Sequence, residues 1–476
     1  MKDSSKSKIQ PFSVEKQRLF EQLLRDSGIA LPPRLPIPNR SAAEPCRLTP
    51  AQERLWKAWH ADPRRIGQNE VVRLRLSGSL NVTALDEALN SLVRRHELLR
   101  TRFVESDGLL VQQAAASVNL EVSLADLSRL PASAQVTNCE RLCGEQADMV
   151  FALERLPLFS SRLIALSSHE QLLMLTLHQI ICDDWSKKIL VDELSRSYES
   201  ITAGVPCSLN ELEVGYGDFA MWQRSRFEAG DFDLDLEYWR QQPAGGLPHG
   251  RLSARGGREA VSGSVKRHKV NLGEAASRHV RRTGRREGLT PYMILLTGWQ
   301  VLLSRYSGQE EVAVGTMVAN RNRTELRSLV GPLSNLLLIK LDLSGNPSFR
   351  VIFRRLKESL IEAFEHQEIP REWVVADPAV DCPLDVTFAM EDAEALTYQA
   401  GDLKILEEEP ETGACHGHLA LVLRETERVI EGRIEYDSGL FDQEEITQMA
   451  AGYQKLIEVM LADLDCRIMN MPPLAV

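Results

Sequence analysis

The sequence predicts an α/β protein folded as two lobes. Strand-like and helix-like periodicities alternate from Leu48 almost to the end of the chain, and the second half repeats the style of the first. A polar stretch rich in Gly, Arg and Pro between Trp239 and Gly263 separates the two runs. The 476 residues, 43% of them apolar and 26% charged, are enough for two or three domain-sized units with ordinary cores. The division that follows is residues 1–45 as a helix and Pro-rich linker, 46–240 as the first lobe and 241–476 as the second.

The first forty residues open with a polar start. Leu19, Phe20, Leu23 and Leu24 then recur at helical spacing until Gly28, and PPRLPIPNR reads as a stiff, extended linker. VVRLRLS at 71–77 alternates as a strand. Asn81 or Thr83, with Asp86 in the first turn, opens a helix whose apolar face is Leu85, Ala88, Leu89, Leu92 and Val93. Strands near 99–104 and 109–114 follow. SSRLIAL and QLLMLTL form a strand pair around SSHE, and the second runs straight into His178. A helix from about Trp185 to Thr202 comes next. In the second half the pattern predicts strands at 264–270, 311–318, 336–343, 384–390, 419–424 and 428–436. Helices are predicted at about 274–285, 290–306, 347–366 and from Asp442 to Leu461.

Composition excludes several classes. A formal net charge of -11 does not suit general binding to phosphate backbones, so no nucleic-acid partner is expected. No run approaches the roughly 18 apolar residues of a membrane span. The amino terminus lacks the apolar core of a secretory signal, so a cytoplasmic location is expected. Eight cysteines are scattered without a CxxC pair, as reduced thiols are. Cys139 and Cys143 lie one helical turn apart, and Cys415, His416 and His418 cluster in a loop. Neither set supplies four ligands at a zinc spacing, so no metal is expected.

The chemistry concentrates in LHQIICDDWS, residues 177–186. An apolar strand ends in His178, two isoleucines keep the turn buried, and two acids precede Trp185. Imidazole and carboxylate groups at a buried strand end cost desolvation unless they are paired. A lone histidine there is more often a satisfied core residue than a catalyst.

The neighbouring segments change that weighing. LHQIICDDWS resembles the third signature of nonribosomal peptide synthetase condensation domains, His-His-x-x-x-Asp-Gly followed by Trp-Ser. RLTPAQERLW (47–56) is similar to the first signature, RRHELLRTRF (94–103) to the second and YGDFAMWQR (216–224) to the fourth. VGTMVANRNR (314–323) with GPLSN (331–335) resembles the fifth, HQEIPREWVV (366–375) the sixth and CPLDVTFAM (382–390) the seventh. Even SVEKQRLFEQLL resembles the leader that precedes such domains. The resemblance therefore spans almost the whole chain, with its motifs in order.

What the resemblance implies is two chloramphenicol-acetyltransferase-like lobes arranged as a V-shaped pseudo-dimer around a central tunnel. Donor and acceptor carrier proteins would dock at its opposite mouths, with neighbouring synthetase modules as further partners. The domain would have no cofactor of its own, because the phosphopantetheine arms arrive with the carriers. An acceptor amine or hydroxyl would attack the donor thioester. By position, His178 matches the first, structural histidine and Asp183 the motif aspartate, with Arg321 in the place of its arginine partner. Trp185 and Ser186 match the helix start, Asn335 an asparagine near the tunnel, and His96 a packing histidine.

Two departures matter. Gln179 stands where the family has the histidine that orients or deprotonates the acceptor, and Asp184 stands where it has glycine. A carboxamide can accept a hydrogen bond but cannot take up a proton near neutral pH. Asp184 is a candidate substitute base, or a side chain that narrows the channel. The double-acid ending also resembles X-type relatives of glycopeptide assembly lines, which recruit tailoring oxygenases but carry arginine at the Gln179 position. That makes a non-condensing docking platform the alternative function. Cys182 replaces a small residue of the family and is the weaker candidate for a nucleophile. His418 replaces a common aspartate and receives no role.

Overall fold

A strand that carries apolar residues on both of its faces must be covered on both. Glu170–His178 (β6) is such a strand, buried at every position after the first. The computed structural model describes residues 36–41, 45–63, 68–242, 265–375, 386–391, 397–408 and 417–471, and β6 lies inside the first of its two six-stranded sheets.

The first lobe starts with Pro50–Ala61 (α1), closed at its amino end by a capping box between Thr49 and Gln52, with Pro50 at the first turn. Asn69–Ser77 (β1) follows, then Val82–Arg95 (α2), whose N-cap is Asn81. Thr101–Ser106 (β2) and Leu109–Ala114 (β3) make a separate hairpin. Val122–Asp126 (β4), Ala132–Ala147 (α3) and Phe159–Ser167 (β5) lead into β6. Asp184–Ala203 (α4), Tyr216–Glu228 (α5) and Asp233–Gln241 (α6) complete this half. On one face of the sheet, Val72, Leu74, Leu173 and Leu175 pack with α2 and α4. On the other, Val71, Leu172 and Met174 meet Cys139 and Cys143 of α3.

The second lobe contains Val265–Asn271 (β7), Gly273–Glu287 (α7), Pro291–Ser307 (α8), Glu311–Val318 (β8), Asn335–Asp342 (β9), Phe349–Glu365 (α9) and Arg371–Val375 (α10). Then come Val386–Glu391 (β10), Thr397–Ala400 (β11), Leu403–Glu408 (β12), Leu419–Glu425 (β13), Ile430–Asp437 (β14) and Gln443–Ala462 (α11). Its sheet runs β7-β14-β13-β10-β8-β9, with β10 parallel to both its neighbours. The helices α8, α9 and α11 cover it; α8 is buried almost all round. Among the described residues no helix is long and apolar enough to cross a membrane.

The two lobes are matching six-stranded units, but the chain does not divide cleanly between them. Strands β11 and β12 join the first sheet, whose order is β11-β12-β1-β6-β5-β4, with Arg73 opposite Glu408 and Ser77 opposite Lys404. The segment assigned to the second lobe, 241–476, therefore lends residues 397–408 to the first. Leu326, Leu329, Val330 and Leu333 of the second half also pack into the first lobe's core. The predicted strand positions agree with β1, β5, β6, β7, β8, β9, β10, β13 and β14 to within about two residues. The leading helix at 14–28 lies outside the described residues. The end of the Pro-rich segment is docked on the domain: Ile37 is buried in the first lobe's core, and Arg40 pairs with Glu97 at 2.7 Å.

Candidate active site

The end of β6 is held by backbone before any side chain acts. His178 N–H donates to the Leu158 carbonyl at 3.1 Å and Gln179 N–H to the Gln68 carbonyl at 2.9 Å. The chain then makes one short 3-10 turn, Gln179–Ile181, and enters α4. His178 Nδ1 accepts from the Ile180 N–H at 3.1 Å, so the ring proton sits on Nε2, 3.3 Å from Gln68 Oε1. Burial pushes the imidazole pKa down to about 4. At neutral pH His178 is an uncharged ring whose edge packs against Phe151.

Asp183 is the hub of the loop. Its side chain caps α4, and seven hydrogen bonds reach its two oxygens. Oδ1 takes Ser186 N–H (2.9 Å), Ser186 Oγ–H (2.6 Å) and Arg321 (3.0 Å). Oδ2 takes Arg321 (2.9 Å), the N–H groups of Leu333 and Ser334 (3.1 and 2.9 Å) and Ser334 Oγ–H (2.7 Å). Burial alone would raise this carboxyl's pKa; the Arg321 guanidinium and the hydroxyls hold it below the usual carboxylate range. The fully buried Arg321 side chain also donates to the carbonyls of Ala319, Leu329 and Gly331, and lies over the Trp185 ring at 5.6 Å. Trp185 Nε1–H reaches the Arg327 carbonyl at 2.9 Å. Ser186 Oγ, whose one proton goes to Asp183, accepts from the Gly331 N–H at 2.9 Å. One aspartate thus ties the strand-end loop to the segment 319–334 of the other half.

The remaining motif residues gather round this hub. Gln52 donates to the Ile180 carbonyl at 3.3 Å. Tyr216 OH bonds Thr49 Oγ and the Pro332 carbonyl, both at 3.1 Å, and its ring fills the space beside Gly331. Asn335 donates to the carbonyls of Gln367 and Ile369 and accepts from the Arg371 N–H, which pins the loop before α10. It lines a small, solvent-open cleft, together with Thr49, Gln223, Pro370 and Glu372. His96 lies apart from the hub, buried against Glu193 at 2.7 Å.

Gln179 and Asp184 meet through two residues that the sequence motifs do not single out. Gln179 Nε2–H donates to Glu70 Oε1 at 3.3 Å; Lys187 Nζ lies 2.7 Å from Glu70 Oε2 and 2.6 Å from Asp184 Oδ1. A carboxylate only accepts, so the amide turns its NH2 toward Glu70 and keeps Oε1 as its acceptor. Burial would lower the Lys187 pKa, but the carboxylates of Asp184 and Glu70 keep it well above its ordinary value. Asp184, two-thirds exposed on the first turn of α4, is therefore paired with an ammonium and sits where a helix favours an acid. The Asp184–Lys187 spacing is legible in sequence; Glu70 is found only from the β1–β6 register, which sets it opposite Leu177. The Cys182 thiol is buried, and that burial pushes its pKa far up, which does not suit a nucleophile.

Cys139 and Cys143 share a buried helix face, and among the described residues no group of three or more His, Cys, Asp or Glu side chains is placed to hold a metal. Cys415 and His416 lie outside the described residues. His418 Nδ1 is 3.6 Å from Asp437.

A family model for the condensation domain matches residues 43–473. The chain belongs to the condensation-domain family. It is similar to a linear gramicidin synthase protein of Brevibacillus parabrevis, 32% identical over 90% of this chain and 8% of that protein. It is also similar to chondramide synthase of Chondromyces crocatus, 32% identical over 92% of this chain and 11% of that protein. A phosphinothricin tripeptide synthetase of Streptomyces viridochromogenes is 31% identical over 98% of this chain and 44% of that protein. The condensation domain thus spans less than half the length of each of these relatives. Among solved structures, the X-domain in its complex with OxyB from teicoplanin biosynthesis superposes with a TM-score of 0.82 at 22% identity, covering 93% of this chain and 99% of that one. The first condensation domain of the CDA synthetase gives 0.74 at 19% identity, covering 91% and 99%. Both share the fold.

Proposed function

We propose that this condensation domain forms an amide between a carrier-bound acyl or aminoacyl thioester and a carrier-bound amine. Gln179 positions the amine rather than deprotonating it. The acceptor nitrogen attacks the thioester carbonyl, the C–S bond breaks, the donor pantetheine leaves as a thiolate, and the proton shed by the nitrogen reaches that thiolate through solvent to give the thiol. The observation that carries this reading is the braced strand end, where Asp183 and Arg321 fix the loop and Gln179 keeps a carbonyl oxygen able to accept an N–H. Orientation of two reactants can itself be worth roughly 7–11 kcal/mol, whereas losing a general base costs about 10²–10⁴-fold in rate. A neutral amine tolerates that loss; a hydroxyl acceptor does not. Donor and acceptor carrier proteins are the partners in this reading, and a tunnel between the lobes is the path of their arms.

A second reading, a docking platform that does not condense, is favoured by the state of the titratable groups near Gln179. His178 and Cys182 are buried and uncharged, and Lys187 is held between Glu70 and Asp184. Loaded donor and acceptor carriers separate the two. Condensation with an amine acceptor by the native protein, raised further in Gln179→His, supports the enzyme; no product from the native protein and a gain only in Gln179→His supports the platform.

A further inference from the structure

Side-chain amides with three rotatable bonds position a reactant poorly unless something holds them, because ordering such a chain costs rotamer entropy. Gln179 is held. Its NH2 lies on Glu70 Oε1, and the other oxygen of that carboxylate is occupied by Lys187, whose ammonium also grips Asp184. Glu70 is itself buried on β1, the strand paired with β6, so the carboxylate stands on the same sheet as the residue it holds. Lys187 lies one turn into α4, on the element that begins with Asp184. The three residues, Glu70, Lys187 and Asp184, come from a strand and a helix that both begin beside Gln179.

We propose that Glu70 is the positioning residue for position 179, and that Lys187 and Asp184 hold Glu70 in place. The arrangement gives Asp184, the acid that replaces a glycine of the family signature, a purpose other than proton transfer: it anchors the outer end of the ion-pair chain. It also fixes the polarity of the amide. With its NH2 turned to the Glu70 carboxylate, Gln179 presents its oxygen as an acceptor for an incoming N–H or O–H group. The inference rests on the condensation reading for its catalytic meaning but not for its geometry. Other charges face the cluster: Lys188 on α4 and Glu407 on the crossing strand β12. Burial raises the pKa of Glu407, while Lys187 and Lys188 lower it.

The test uses the whole domain and a readout that needs no turnover. In Gln179→His the introduced imidazole takes the amide's place beside Glu70, and its pKa is read by NMR titration. Adding Glu70→Gln removes an anion within about 4 Å, and the imidazole pKa falls by about one pH unit or more. Adding Asp184→Gly instead removes the outer carboxylate only, and the fall is smaller. An unchanged imidazole pKa in Gln179→His/Glu70→Gln overturns the proposal. If that variant does not fold, Asp184→Gly decides: a fall supports the chain of contacts and no change overturns it. In the otherwise native protein, Glu70→Gln lowers kcat for amide formation by at least tenfold with little change in KM for the loaded carriers. A native protein that makes no amide overturns the condensation reading, and the titration still judges Glu70.

Discussion

Replacing Asp183 by asparagine keeps the shape of the side chain and removes its charge, so the consequence follows from the hydrogen bonds alone. Three donors converge on Oδ1 and four on Oδ2. Whichever oxygen becomes NH2, at least three donors face a donor. At about 1–1.5 kcal/mol for each lost bond the cost is roughly 3–4 kcal/mol. The loss of the counterion of a buried guanidinium gives the same scale independently, about 3–5 kcal/mol. Urea unfolding at pH 7, followed by tryptophan fluorescence with Trp185 beside the hub, measures it. The pH dependence supplies a second check. The folded pKa of Asp183 lies below that of an unfolded aspartate, about 3.9. Its stabilisation is therefore complete above that value and is lost as pH falls through the folded pKa. The gap between native protein and Asp183→Asn stays constant from pH 7 to about 5 and closes in stronger acid. A gap below 1 kcal/mol at pH 7, or one that persists unchanged into strong acid, would refute the reasoning.

Other outcomes are open to measurement. His178 is depressed from its ordinary value to about 4, so the unfolded chain binds a proton that the folded one refuses; stability falls with pH from about 6.5 toward 4. Between pH 7.5 and 5 this residue's share is about 2 kcal/mol, and His178→Gln should flatten that part of the urea-midpoint curve. Gly331→Ala drives a methyl into the Tyr216 ring at a φ of +150°; it should cost about 2–5 kcal/mol, read as a fall in thermal midpoint. A thiol-alkylating reagent under native conditions should modify exposed Cys207 while buried Cys46 and Cys182 stay unlabelled, as peptide mass mapping would report.

Much of the fold is written in local patterns. The largely apolar QLLMLTL reads as a covered strand, and VVRLRLS alternates clearly enough to place β1. Local pattern does not reveal β4, β11 and β12. They are short and partly exposed, and β12 acquires its partner from a residue hundreds of positions earlier. At the site, Asp183 and Arg321 are legible because motif order places them, and the structure brings them together at 2.9 Å. Glu70 and Gln68 are not, since nothing near either residue in the chain points to Gln179. Only the antiparallel register of β1 on β6, with Gln68 just before β1, brings them to the strand end.

That distant pairing has a temporal side. Arg75 and Glu408, which bridge β1 and β12, are separated by 333 residues. At about 5–20 residues per second, a ribosome needs roughly 15–70 s to make the intervening chain. From the pairing of β6 with β1 until β12 arrives, the nascent first sheet presents β1 as an open edge, an invitation to pair with other chains. The protein therefore matures from its far end backward: strands synthesised late close the first sheet to be started.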